Sequence, residues 1–239
     1  MKLRITALVL AMLSIVGLSA CVGPSPVLPR PIDPCVPGHD TVIIAGDSVT
    51  AQWSQSAAFP QGTRVLNLSR GSAAYSGEET QDVATTFSIR QRLEAQLDAC
   101  NWDVGLVVLS GGVNDLAAGQ TPDAMESGAA AISASLATRG INTVWVPILP
   151  WAVDATNFTD VRFEHRLEFN EWLSTPGRVN GPVLQCNSVL RDPNSAEELL
   201  APGYRRYVGF TLDVFHINDA AKWAFGGCVT DKIDQDDLF

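Results

Sequence analysis

Thr41-Val42-Ile43-Ile44-Ala45-Gly46-Asp47-Ser48-Val49-Thr50 is an apolar run that breaks into a small polar turn ending on a serine. Val42, Ile43 and Ile44 are β-branched in an unbroken row, the pattern of a strand buried on both faces of a parallel sheet. Gly46 and Asp47 end that strand. If a helix follows, the Ser48 hydroxyl lies at the strand's carboxyl end beside the free N–H groups of a helix start, where open α/β sheets bind ligands. Ser48 is therefore the candidate nucleophile. Its alternative role is a helix N-cap, a position that favours serine.

The same alternation recurs along the chain. Arg64 to Leu68 reads as a second strand with the loop Ser69-Arg70-Gly71-Ser72 at its end, and Phe87 to Ala99, with Ile89, Leu93 and Leu97 four apart, as a crossover helix. Val104 to Leu109 is a third apolar run, breaking at Ser110-Gly111-Gly112-Val113-Asn114-Asp115. Helices over Pro122 to Thr138 and Val161 to Leu173 flank a fourth strand, Asn142 to Ile148, and Pro182 to Gln185 reads as a short fifth. Strands alternating with helices predict a parallel, doubly wound sheet of about five strands with right-handed crossovers. Near the end, Leu212 to Asp219 reads as a loop, followed by a helix from Ala220 to Phe225 capped by Asn218 or Asp219.

The 239 residues carry 16 basic and 26 acidic side chains, 46% hydrophobic and 18% charged, an ordinary globular composition. Lys2 and Arg4 precede an apolar run from Ile5 to Val16, and Leu18-Ser19-Ala20 stands before Cys21. That pattern reads as a secretory signal, residues 1–20, and looks like a bacterial lipobox with Cys21 as the lipidated first residue. Losing Lys2 and Arg4 leaves 14 basic against 26 acidic residues, a net charge of −12. Such a surface argues against nucleic acid as a partner and against electrostatic adhesion to anionic lipid, so the anchor on Cys21 would hold the protein to a membrane. Prolines at 24, 26, 29, 31, 34 and 37 make residues 21–37 an extended tether, reaching roughly 40 Å from Val22 to Pro34. The globular domain is then 38–239. The expected location is the bacterial cell envelope, outside the cytoplasm.

Cys35, Cys100, Cys186 and Cys228 remain, an even number in an exported chain, and two disulfides are the expected use. Three pairings are open. Cys35–Cys100 is favoured because both precede predicted strands and so share the amino-terminal edge of the sheet, and Cys186–Cys228 follows by elimination. No CxxC is present, which argues against a zinc site.

Serine hydrolysis needs a base within hydrogen-bond reach and a partner that fixes the base's tautomer. Of three histidines, His39 borders the tether and His165 stands between Glu164 and Arg166 on a helix, whereas His216 follows Asp213 by three positions. Ser48, His216 and Asp213 supply nucleophile, base and orienting acid. The N–H groups of Ser48 and Gly71 and the amide of Asn114, each just past a predicted strand, are candidate oxyanion donors. Asp47 beside Ser48 suits a local backbone-bonding role, and Asp115 a brace for the Asn114 loop. Trp53 and Trp151 fall near the expected cleft, either lining it or packed behind it, and Trp102 belongs at the opposite end of its strand.

Gly46-Asp47-Ser48-Val49, Gly71, Gly112-Val113-Asn114-Asp115 and Asp213-Val214-Phe215-His216 resemble, in order, the four blocks of the SGNH/GDSL hydrolases. The resemblance implies a flavodoxin-like α/β/α sandwich, serine ester hydrolysis by Ser48, His216 and Asp213, and an oxyanion hole of Ser48, Gly71 and Asn114. Val49 replaces the usual leucine and Ile217 the proline that often follows the histidine. Gly77 lies in the same loop as Gly71 and is the alternative donor. The expected function is hydrolysis of a small acyl ester, such as an acetylated saccharide or wall polymer, by a monomer needing neither cofactor nor metal. The alternatives are an O-acyltransferase using the same triad and a non-catalytic envelope-binding lipoprotein.

Overall fold

The first strand, β1 (Thr41–Gly46), is buried at all six positions. The computed structural model describes residues 41–76, 87–99, 104–152, 160–195, 199–209 and 211–238. The signal, Cys21, the tether, His39, Gly77, Trp102 and the Cys35–Cys100 pair lie outside the described residues.

β1 is buried because it has a parallel neighbour on each side, β2 (Arg64–Asn67) and β5 (Val104–Ser110). With β6 (Asn142–Val146) outside β5, the sheet order is β2-β1-β5-β6. Ile43 stands opposite Leu66 on one side and Val107 on the other, so the apolar row at 42–44 is shared between two ladders. The chain leaves β1 for one edge and returns on its other side. The carboxyl ends of β1 and β5 therefore flank the switch point, the usual crevice of a doubly wound sheet.

Helices cover both faces of the sheet. α1 (Ser48–Trp53) and the terminal α6 (Asp219–Gln235) pack together, as do α2 (Ile89–Ala99) with α4 (Pro122–Thr138) and α4 with α5 (Asp160–Ser174). The short α3 (Val113–Ala117) follows β5. The core that fills these layers holds Trp53, Trp145, Trp151, Phe169 and Phe225, all fully buried.

Differences from the sequence reading have local causes. α2 begins at Ile89 because the Ser88 hydroxyl accepts the N–H of Gln91 at 3.2 Å, a cap three residues ahead. Phe87–Ser88 (β4) instead pairs with Ala73–Ala74 (β3). α6 is capped by Asn218, which accepts the N–H of Ala221 at 3.0 Å, and runs on to Gln235 rather than ending at Phe225.

Among the described residues the sheet has four strands, against about five expected. The expected fifth, Pro182 to Gln185, makes a single bridge at Val183 to Trp145. Pro182 has no N–H to donate, and the chain turns at Cys186 into a 3₁₀ turn at Asn187–Val189. There Cys186 is bonded to Cys228 of α6, with Cα atoms 5.9 Å apart.

A second departure decides the site. Residues 211–217 form not a loop but β8 (Thr211–Ile217), in an antiparallel hairpin with β7 (Arg205–Val208). This hairpin stands apart from the main sheet.

Candidate active site

Ser48 is the first residue of α1, and the cap is Asp47, whose Oδ1 accepts the N–H groups of Val49 and Thr50 at 3.0 and 3.1 Å. The local role read for Asp47 is the one observed, and the Ser48 side chain is left free of capping. A Cβ at Gly46 would run into the Ser110 carbonyl oxygen, so only glycine lets β1 and β5 close up here. Thr50 Oγ1 donates to that same carbonyl at 2.8 Å, tying α1 to the end of β5.

Asp47 is buried. Burial pushes its carboxyl up to about 6, against the opposing bonds from Thr50 and Val49. Tyr75, also buried, is raised well above the usual phenol range by burial first and then by the charges of Asp47 and Asp115.

His216 arrives from the hairpin. Arg205 pairs with Ile217 but Arg206 with Asp213, so Val214, Phe215 and His216 bulge out of the ladder. Bulges of this kind re-aim a side chain. The bulge is held internally by Asp213 Oδ1, which accepts the N–H groups of Phe215 and His216 at 3.2 and 3.0 Å. It is held from outside by Ala152, whose N–H donates to the Val214 carbonyl at 3.2 Å. The result places His216 Nε2 2.9 Å from Ser48 Oγ, with His216 Nδ1 3.1 and 3.0 Å from the two oxygens of Asp213. With Nδ1–H donating to the carboxylate, Nε2 is free to accept from the serine hydroxyl.

The loop after β2 is drawn to the same rim, Arg70 N–H donating to the Gly46 carbonyl at 3.0 Å. Gly71 follows and is exposed. α3 is entered through Gly112 in the left-handed region at φ 108°, a conformation that favours glycine. Asn114 Nδ2 donates to the Ala73 carbonyl at 2.8 Å, which engages one of its two amide hydrogens. Asp115 accepts the N–H of Tyr75 at 2.9 Å and both the N–H and hydroxyl of Ser76, at 2.8 and 2.6 Å. These adjacent residues clip the 71–76 loop to the end of β5, so Asp115 braces that loop, where the sequence reading has it brace the Asn114 loop.

Ser48, His216 and Asp213 thus meet, and the loops of Gly71 and Asn114 border the same switch point. Trp53 and Trp151 are buried rather than exposed on the rim. Trp151 instead backs the bulge, its ring 5.9 Å from that of Phe215 in an edge contact. Behind it, the buried Arg166 guanidinium lies between the rings of Trp151 and Phe163, at 5.7 and 4.9 Å. His165 is half-buried on α5. Sequence reasoning missed the β7 side of the site, because Arg205 to Val208 shows no alternation that marks it as a strand.

The sequence profile of the GDSL-like Lipase/Acylhydrolase family matches residues 44–224, a span from the Ser48 turn through the His216 bulge. A comparison with curated proteins gives no match. Among solved structures, the chain is similar to a candidate acylhydrolase from Bacteroides fragilis NCTC 9343, at 16% identity over 86% of this chain and 91% of that one, TM-score 0.63. A GDSL-like lipase from Bacteroides thetaiotaomicron VPI-5482 is similar at 14% identity over 82% and 89%, TM-score 0.61. The psychrotrophic esterase EstA from Pseudoalteromonas sp., inhibited by monoethylphosphonate, is similar at 14% identity over 82% and 97%, TM-score 0.52. At these identities the likeness is one of fold, the three-layer α/β sandwich.

Proposed function

We propose that this chain, which belongs to the GDSL-like lipase/acylhydrolase family, is an extracytoplasmic serine esterase that hydrolyses a small acyl ester, with an acetylated saccharide as the substrate class. The observation that carries this reading is the 2.9 Å contact of Ser48 Oγ with His216 Nε2, backed by Asp213 on Nδ1. As Oγ attacks the ester carbonyl carbon, Nε2 takes the hydroxyl proton, and the carbonyl electron pair moves onto oxygen. That oxyanion is received by the N–H of Ser48, the remaining amide hydrogen of Asn114 and the N–H of Gly71. Collapse returns the electron pair, breaks the bond to the alcohol oxygen and passes the proton from Nε2 to the departing alkoxide. Water then repeats the cycle on acyl-Ser48 and releases the carboxylic acid.

Location outside the cytoplasm is supported by the Leu18-Ser19-Ala20-Cys21 pattern, with Cys21 as the lipidated anchor, and by the Cys186–Cys228 disulfide, since such bonds persist in oxidising compartments. The test is covalent labelling with a fluorophosphonate, followed by mass mapping and assay on esters of increasing acyl length. A label on Ser48 together with acid release from short acyl esters is expected. An unlabelled chain without esterase activity overturns the reading.

A further inference from the structure

The bulge that aims His216 also sets Asp213 directly opposite Arg206 in the hairpin ladder. Arg206 Nη1 lies 3.8 Å from Asp213 Oδ2, the same oxygen that His216 Nδ1 approaches at 3.0 Å. The other carboxylate oxygen is occupied by the two backbone N–H groups of the bulge. Both oxygens face the imidazole, at 3.1 and 3.0 Å from Nδ1, and Arg206 acts on the one that the backbone leaves open. Its side chain is 39% exposed against 16% for Asp213, so the guanidinium reaches in from the solvent edge.

The other charged groups around the bulge, among the described residues, have contacts of their own, including the buried Arg166 against the rings of Trp151 and Phe163. Arg205 Nε donates to the Leu200 carbonyl at 3.4 Å. On α6, Asp219 and Lys222 pair at 2.7 Å, and Asp219 is held low by the hydrogen bond and charge of Lys222 and, more weakly, by Arg206. At the start of α1, Asp47 is enclosed by the backbone and hydroxyl of its own helix. Arg206 is thus the arginine or lysine at ion-pair distance from Asp213.

Building on the esterase reading, we propose that Arg206 is a positioning residue for the triad acid: its charge offsets part of the Asp213 charge felt by the imidazolium, and so extends activity towards acid. Without it the full carboxylate would favour the protonated imidazole, which cannot accept the serine proton. The effect is modest because the pair is partly exposed, and it weakens as salt screens it.

The test compares wild type with R206Q, R206M and R206K, reading both kcat/KM on a short acyl ester and the rate of fluorophosphonate labelling against pH, at low and high salt. R206Q should move the acid limb upward by about 0.3 to 0.5 pH unit at low salt. The displacement should shrink at about 1 M salt. R206M, which keeps the apolar stem, carries the same expectation should R206Q fold poorly. R206K keeps the charge and should stay with wild type. An acid limb that does not move in R206Q or R206M while rates fall at every pH shows a merely structural role and overturns the proposal. So does an R206K profile displaced as far as that of R206Q. A wild type that never labels overturns the esterase reading and the proposal with it, whereas a labelled wild type with unmoved variants overturns the proposal alone.

Discussion

Ser48 stands at the end of a strand buried at all six positions, capped by a carboxylate inside the protein, whereas His216 sits in a bulge of a hairpin whose Tyr207 and Val208 are 58% and 61% exposed. Ser48 is placed by the central sheet, and close packing of Gly46 against Ser110 leaves it little freedom. His216 is placed by supports from separate parts of the chain: the β7 ladder, the Ala152 N–H and the Trp151 ring. Elements with fewer buried contacts open at lower free energy than the core. The two sides of one 2.9 Å hydrogen bond should therefore fail differently.

The largest effect tests whether the two sides work as a unit. Ser48→Ala should lower kcat by on the order of 10⁴ to 10⁶ and abolish fluorophosphonate labelling, and adding His216→Ala should cost little more. Additive losses in the double variant would separate the two residues. Next, Asn114→Ala should lower kcat by on the order of 10² to 10³, the loss typical of one oxyanion donor, while Ser48 still labels. Lost labelling would mean instead that its bond to the Ala73 carbonyl holds the rim together.

Stability sharpens the comparison on a smaller scale. Cys186 and Cys228 are 42 residues apart, and a paired Cys186→Ser, Cys228→Ser variant should lose about 2 to 4 kcal/mol in urea unfolding. Native-state amide exchange should rise at α6 and β8 before β1. Faster exchange in β1 first would reverse the assignment of the rigid side.

The smallest of these stability effects concerns Asp47. Its folded-state carboxyl is raised to about 6 by burial, so between about pH 4 and 6 the folded protein keeps a proton that the unfolded chain has released. This group's contribution is therefore full below about pH 4 and lost as pH rises through 6, a decline on the order of 2 to 3 kcal/mol. Asp47→Asn cannot titrate, so the difference in unfolding free energy between wild type and variant should change across that window. A pH-independent difference would remove buried charge from the account of the Ser48 side.

The Ser48 side was legible in the sequence because its information is local. The row Val42-Ile43-Ile44 needs burial on both faces, Gly46-Asp47-Ser48 carries its own turn and cap, and Val104 to Leu109 repeats the pattern before Gly112 and Asn114. The α4 boundaries were equally plain, with Pro122 in the first turn and Gly140 at φ 69° just past the end. The grouping of Ser48, His216 and Asp213 could be proposed by type and spacing, since few residues perform that chemistry and the chain has only three histidines.

Only the tertiary structure decided that Pro182 to Gln185 contributes a single bridge, that Trp53 and Trp151 are buried, and that Asp115 clips the 71–76 loop. It also decided that Arg206 faces Asp213 across a bulged ladder. Each depends on pairing between segments whose own patterns are indifferent to it. In Arg205 to Ile217, charged, aromatic and β-branched residues follow one another without a period, and the register that brings Arg206 to Asp213 is set by what the bulge packs against.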